Sequence, residues 1–148
     1  MSRWDATTLE HVRAIKLHPR LAPEDTRDHY TEALVGTLSA CFRTLFSDTN
    51  EPIAVVGILP WWSGVAMGVT LLSEEALTDY SVTLSRGTLR RLLYVAERDV
   101  LRRIQTTVSC ESPEAIRWAE FLGFEPEGRL RCYHPDGSDA LMMARLFD

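Results

Sequence analysis

Six arginines, Arg86, Arg90, Arg91, Arg98, Arg102 and Arg103, crowd one stretch of a chain whose formal net charge is −5. A run of cations in an acidic protein reads as a solvated helix face, or as a surface for an acidic partner. Trp61 and Trp62 follow Pro60 in a turn-rich segment. Adjacent residues of extended chain point to opposite sides. One indole is therefore expected on the core, and the other exposed as a loop anchor or as a contact for an acceptor or partner. His11, His18, His29 and His134 are far apart, and Cys41, Cys110 and Cys132 lack Cys-x-x-Cys spacing. Each histidine reads as a surface or helix-end residue, and neither a metal site nor a disulfide framework is expected. The sequence contains no Gly-x-Ser-x-Gly, no phosphate-binding loop ending in Lys-Ser/Thr and no His-Glu-x-x-His. Serine-hydrolase, P-loop and zincin chemistry lose their usual marks.

The elements that must position any site follow from length and pattern. The 148 residues, 45% apolar and 25% charged, suit one compact domain over 1–148. With 16 Lys and Arg against 21 Asp and Glu, the chain lacks the basic surface that nucleic acid demands. Its longest apolar stretch, Ile53 to Leu72, is broken by Gly57, Pro60, Ser63, Gly64, Gly68 and Thr70. Neither a signal peptide nor a membrane span is expected from it. Three odd, scattered cysteines point to a reducing cytoplasm.

Thr7-Thr8-Leu9-Glu10 reads as a capping box from Thr7 to Glu10, opening a helix that His18-Pro19 stops. A second helix is expected from Ala22-Pro23-Glu24-Asp25 to about Leu38. Extended chain follows at Ala40–Phe46, Ile53–Leu59 and Val65–Leu72, with turns at Ser47–Asn50 and Trp61–Gly64. Leu89, Leu92, Leu93, Ala96 and Val100 form the core stripe of a long helix that starts somewhere between Asp79 and Gly87. A strand at Ile104–Cys110 precedes a helix opening at Ser112-Pro113-Glu114 and ending at Gly123. Strands at Gly128–Tyr133 and Ala140–Leu146 flank an Asp-Gly hairpin loop, residues 134–138. The sum is an α/β (α+β) domain. Its sheet is mixed and mostly antiparallel, flanked by helices, with one parallel crossover between Val65–Leu72 and Ile104–Cys110.

That order, with the stretch from Ser112 to Gly128, resembles the GNAT N-acyltransferases, whose late helix reads Asn-x-x-Ala-x-x-x-Tyr-x-x-x-Gly-Phe. The particular part of the likeness runs from about Val108 to Leu146. The segment Gly-Arg-Leu-Arg-x-Tyr-x-Pro-Asp-Gly at 128–137 is similar to phage-encoded GNAT-like proteins, including the internal virion protein A group. The resemblance implies acyl transfer from acetyl-CoA or another acyl-CoA to a primary amine. The pantetheine arm would pair with backbone between two splayed parallel strands, and the pyrophosphate would sit at the N-terminus of the long helix. It implies an acyl-CoA site at Leu71, Leu72 and Ser73, with Arg86 and Gly87 in Ser85-Arg86-Gly87-Thr88 as the nearest substitute for the family's glycine loop. Glu74 is the nearest carboxylate for a general base. The strand ending near Leu72 would supply an oxyanion N–H.

Two departures stand out. Leu71 to Tyr80 holds no glycine pair, and Glu74, Glu75 and Asp79 bring three acids to the phosphate position. Ala119 falls where the family's proton-donating Tyr belongs, leaving Tyr133, Ser112 or Cys110 to stand in. These departures leave a second reading open. In it the chain is a catalytically inactive GNAT-like phage protein that binds a host or virion partner, in the host cytoplasm or the particle.

Overall fold

A computed structural model describes residues 3–18, 35–36 and 39–148. Strand β1 (Arg3–Ala6) leads into helix α1 (Leu9–Ala14), and a short 3-10 turn (Ser39–Cys41) leads into β2 (Phe42–Phe46). Then come β3 (Pro52–Trp62), β4 (Val65–Leu72), α2 (Glu74–Thr78) and α3 (Ser81–Arg98). Strand β5 (Arg103–Ser109), helix α4 (Pro113–Phe121) and strands β6 (Glu125–Leu130) and β7 (Ala140–Leu146) complete the order. Of the helix expected between Pro23 and Leu38, only Val35 and Gly36 belong to the described residues. His29 lies outside them.

The seven strands form one sheet in the order β1-β2-β3-β4-β5-β7-β6. Every neighbouring pair is antiparallel except β4–β5, the one parallel crossover the sequence demands. Ile53 to Leu59 is buried without a break, as a central strand covered on both faces must be. Val55 and Leu59 pack with Val12, Ile15 and Phe42 on the α1 side. Val56 joins Leu84 on the opposite face, and Ile58 joins Leu92 and Val95 there, under α3.

Several boundaries move for identifiable reasons. The N-terminal box opens at Thr8, one residue later than expected, and His11 takes the place foreseen for Glu10. The Thr8 hydroxyl accepts from the His11 N–H at 3.3 Å, and His11 Nδ1 accepts from the Thr8 N–H at 3.2 Å. Thr7 is unavailable because its buried hydroxyl bonds Thr44 on β2 at 2.8 Å. The core stripe of α3 runs through Leu84, Thr88, Leu92, Val95 and Ala96, whereas Leu93 is 45% and Val100 81% exposed. The helix ends at Arg98, before Val100 completes another turn, and Val100 adopts φ 52° in the connection to β5. Strand β6 is earlier than expected because Gly123, at φ 95°, ends α4 abruptly, and Cys132, at φ 54°, turns the chain out of the sheet.

Trp61 and Trp62 also depart from simple alternation. The β3–β4 register slips between Pro60 and Trp62, and both indoles end up outside, 49% and 64% exposed. A bulge there places neighbouring side chains on one side of the strand.

Candidate functional site

The parallel pair is short. β4 and β5 align over only three residue pairs, Val65–Arg103, Ala66–Ile104 and Met67–Gln105, although both strands continue well beyond. Beyond Met67 their main-chain groups have to find partners elsewhere or remain open.

The phase of each ladder tells which groups face the gap. The Ser73 N–H donates to the Ile53 carbonyl at 3.0 Å, so Leu71 and Val69 also bond toward β3. By alternation Gly68, Thr70 and Leu72 turn their N–H and C=O toward β5. On the other side the Cys110 N–H donates to the Asp139 carbonyl at 3.1 Å, which sets Val108 and Thr106 toward β7 and Thr107 toward β4. The Thr106 hydroxyl donates to the Gly68 carbonyl at 2.9 Å where the strands begin to part. The His18 N–H takes the Leu72 carbonyl at 2.9 Å and closes the far end. Between those closures the backbone of Thr70, level with Val108 by the ladder's register and facing the Thr107 main chain, is left without a sheet partner among the described residues. An extended chain laid in this gap would find donors and acceptors already aimed at it.

The surroundings come from the strand ends. Because β4 and β5 are parallel, Leu72 and Ser109 reach the same edge of the sheet, the edge where ligands of open α/β sheets collect. Leu130 and Ser109 both pair with Ala140, which brings the β6–β7 loop, and Tyr133 in it, to that edge as well. The topology thus gathers Leu71, Leu72, Ser73, Glu74, Ser112 and Tyr133 at one end of the molecule. No hydrogen bond among the described residues joins Glu74, Ser112 and Tyr133 to one another. The Trp61–Trp62 hairpin lies at the opposite edge, since β3 runs antiparallel to β4.

Local chemistry explains why each of these residues is where it is. Ser73 is buried and caps α2, its hydroxyl accepting from the Ala76 N–H at 3.2 Å. Glu74 and Glu75 occupy the first turn of α2, where its dipole favours acids. Glu74 and Glu75 therefore serve α2, and the first turn of α3 carries no acid, although Asp79, the C-cap of α2, stands just before it. Tyr80 provides α3 with no side-chain cap, and the first helical bond is from the Leu84 N–H to the Tyr80 carbonyl at 2.8 Å. The amides of Ser81, Val82 and Thr83 remain outside the helical ladder. Arg86 is exposed on α3, about one and a half turns from its start. Gly87 packs against Trp4, and an added Cβ would collide with the indole.

Ser112 is fully buried as the N-cap of α4; it accepts from the Ala115 N–H at 3.2 Å and donates to the Glu114 carboxylate at 3.2 Å. Its hydroxyl is committed to the helix. Ala119 is buried against Leu92 and Val95, so that position faces the core. Tyr133 is 50% exposed in the loop, its ring edge-on to His134 at 5.4 Å. The Trp118 indole donates to Ser85 at 3.1 Å and fixes α4 to α3.

The arginine stretch separates into individual roles. Arg102 donates to the Ser63 carbonyl at 3.0 Å and holds the β3–β4 hairpin. Arg103 forks Glu127 at 3.0 and 2.6 Å, which raises the guanidinium and lowers the carboxyl from their ordinary values. Arg98 forks Asp99 at 2.8 and 3.0 Å. Among the described residues no three His, Cys, Asp or Glu side chains converge as a metal site. No helix among them is long and apolar enough to cross a membrane. Sequence reasoning overlooked Thr70, Thr106 and Thr107, whose only signal is threonine in strands that are apolar in β4 and mixed in β5.

Known structures share this fold. The chain is similar to Ard1 from Thermoplasma volcanium, with 18% identity over 99% of this chain and 98% of that one, at a TM-score of 0.74. It is similar to a GNAT superfamily phosphinothricin acetyltransferase from Sinorhizobium meliloti, solved in complex with AcCoA, with 15% identity over 99% and 88% of the two chains and a TM-score of 0.71. The ribosomal-protein-S18-alanine N-acetyltransferase of Escherichia coli aligns at 17% identity over 99% and 94%, with a TM-score of 0.69. These likenesses show the GNAT fold. No protein-family model matches the chain, and no curated protein matches its sequence.

Proposed function

We propose that this protein is an N-acyltransferase that binds an acyl-CoA in the β4–β5 gap and passes the acyl group to a primary amine. The observation that carries the proposal is the early end of the parallel ladder at Met67–Gln105, which leaves the Thr70 backbone open in a fold shared with acetyltransferases. The thioester's pantetheine arm pairs with Thr70 and Thr107, and Leu71, Leu72 and Ser73 line the acyl end. The pyrophosphate meets the open amides at the start of α3, with Arg86 as the nearby cation. Glu74 takes a proton from the incoming ammonium, and the free amine attacks the thioester carbonyl. The Leu72 N–H, turned toward the gap, stabilises the tetrahedral oxyanion. The C–S bond then breaks as Tyr133 protonates the departing thiolate, and the second proton of the attacking nitrogen passes to the tyrosinate, leaving a neutral amide and restoring Tyr133. Tyr133 is the better donor of the two hydroxyls because Ser112 is buried and already donating to Glu114.

The test is release of free CoA thiol from acetyl-CoA in the presence of amine acceptors. Glu74→Gln and Tyr133→Phe are each expected to slow release by about a hundredfold or more while acetyl-CoA binding is retained. Unchanged rates in either variant would remove that residue from the chemistry. A second reading, a catalytically silent protein that binds a host or virion partner, draws on two observations. Ala119 is buried where a proton donor is wanted, and Trp61 and Trp62 are exposed together on one hairpin. Absence of thiol release with every amine tried, despite tight acetyl-CoA binding, would favour it.

A further inference from the structure

A second cavity lies on the far side of α3 from the gap. It has a volume of about 300 Å³ and is bounded by Trp4 on β1, Arg43 on β2, Val56 on β3 and Thr88, Arg91 and Tyr94 on α3. None of its lining comes from β4, β5 or α4. Gly87, beside Arg86, also lines it, so the two sites share α3, but the rest of the cavity is built from β1, β2 and β3 and the inference does not depend on that reading.

Its polar groups are poorly satisfied. Arg91 Nε and Thr88 Oγ1 are both buried with no hydrogen-bond partner, and Thr88 as a whole is 3% exposed. A buried polar group left unpaired is costly, and a guanidinium more so than a hydroxyl. Arg43 donates through Nη1 to the Phe42 and Ala40 carbonyls at 2.8 and 3.2 Å, neither of which cancels its charge. Asp99, the carboxylate whose field reaches Arg91, is already forked by Arg98. Burial and the neighbouring Arg43 and Arg98 charges hold the Arg91 guanidinium below its ordinary value. The site thus concentrates positive charge without a carboxylate of its own among the described residues.

The remaining walls are flat and apolar. The Trp4 ring lies on Gly87, where any Cβ would collide with it, so the glycine lets β1 approach the helix closely. The Tyr94 ring stands 5.7 Å from the Arg91 guanidinium and 5.5 Å from that of Arg98. Val56 closes the floor.

We infer that this cavity binds a small organic anion, with its carboxylate or phosphate on Arg91, Thr88 and Arg43 and a flat apolar ring between Trp4 and Tyr94. The volume is at the small end for ligand sites, which suits a single ring with one charged group. The anion supplies the acceptor that Arg91 Nε and Thr88 Oγ1 lack.

The experiment is calorimetric titration of the full chain with phenyl phosphate and with benzoate, beside inorganic phosphate and phenol. At least one of the two ring-bearing anions is expected to bind below about 1 mM, and phosphate and phenol at least about tenfold more weakly. The tighter of the two anions identifies the headgroup. Arg91→Met should weaken that binding at least about tenfold while the empty protein's Tm stays level or rises, because a half-buried guanidinium whose Nε lacks a partner has been removed. Arg43→Met gives the same test through a separate element should Arg91→Met fail to fold. Saturating CoA should leave the affinity unchanged. The inference is overturned by no binding of either anion at about 10 mM, by undiminished binding in the arginine variants, or by competition with CoA.

Discussion

Val100 carries a conformational cost that its surroundings do not return. Its φ of 52° lies in the left-handed region, which a β-branched side chain avoids, and it is 81% exposed. Asn tolerates that conformation through local hydrogen bonding. Val100→Asn is expected to raise stability by about 1 kcal/mol, read from urea unfolding with an unchanged slope. At this scale the sequence was legible where a residue acts on its immediate neighbours. Ser112 before Pro113 and Glu114 announced its helix cap, and Gly123 announced the helix end. It misled where a distant partner decides. The local pattern puts the cap at Thr7, but Thr44, far along the chain, claims its hydroxyl and Thr8 caps the helix instead. Nothing near Gly87 in the sequence shows that Trp4 lies against it.

At the scale of elements, the hairpin between β6 and β7 rests on one carboxylate. Asp139 accepts from the Cys132 N–H at 2.9 Å and from Arg129 Nε at 2.6 Å, and these bonds hold its carboxyl below the ordinary range. A carboxyl lowered in the folded state contributes stability above its unfolded value of about 3.9 and loses it as pH falls through the folded one. Acid should therefore loosen this loop, which carries Tyr133. Asp139→Asn is expected to lower Tm at pH 7 and to flatten its decline below pH ~4, measured by thermal melts across that range. Glu127, Asp99 and Asp136 are lowered as well, so some acid slope persists. Elements with strong local patterns, β4 and β7 among them, were read to the residue. Strand β1 carries no strand pattern of its own, because its four residues, three of them exposed, form a strand only by pairing with β2. Nothing in the sequence announced that Glu74 and Glu75 open a separate helix, because α2 is too short for a periodic pattern.

The whole molecule is a sheet that is continuous except where its two parallel strands part. Length, the buried run at Ile53–Leu59 and the alternation of helices and strands made that sheet legible, including which pair would be parallel. They gave no indication of how soon the pair separates. That depends on the Thr106–Gly68 and His18–Leu72 bonds, made between segments far apart in sequence. The cationic cavity was invisible for the same reason, since Trp4, Arg43 and Arg91 meet only in three dimensions. On the proposed function, the opening receives an acyl-CoA through main-chain pairing at Thr70. Proline at that position removes an N–H that β3 does not use, whereas proline at Leu71 would break the β3 ladder. The decisive measurement is calorimetric titration with acetyl-CoA of the natural protein and of Thr70→Pro, with Tm recorded for both. Micromolar binding by the natural protein, weakened at least about tenfold in a Thr70→Pro variant that still melts cooperatively, is the predicted result. No binding by the natural protein at about 1 mM acetyl-CoA, or equal affinity in the folded variant, would contradict it.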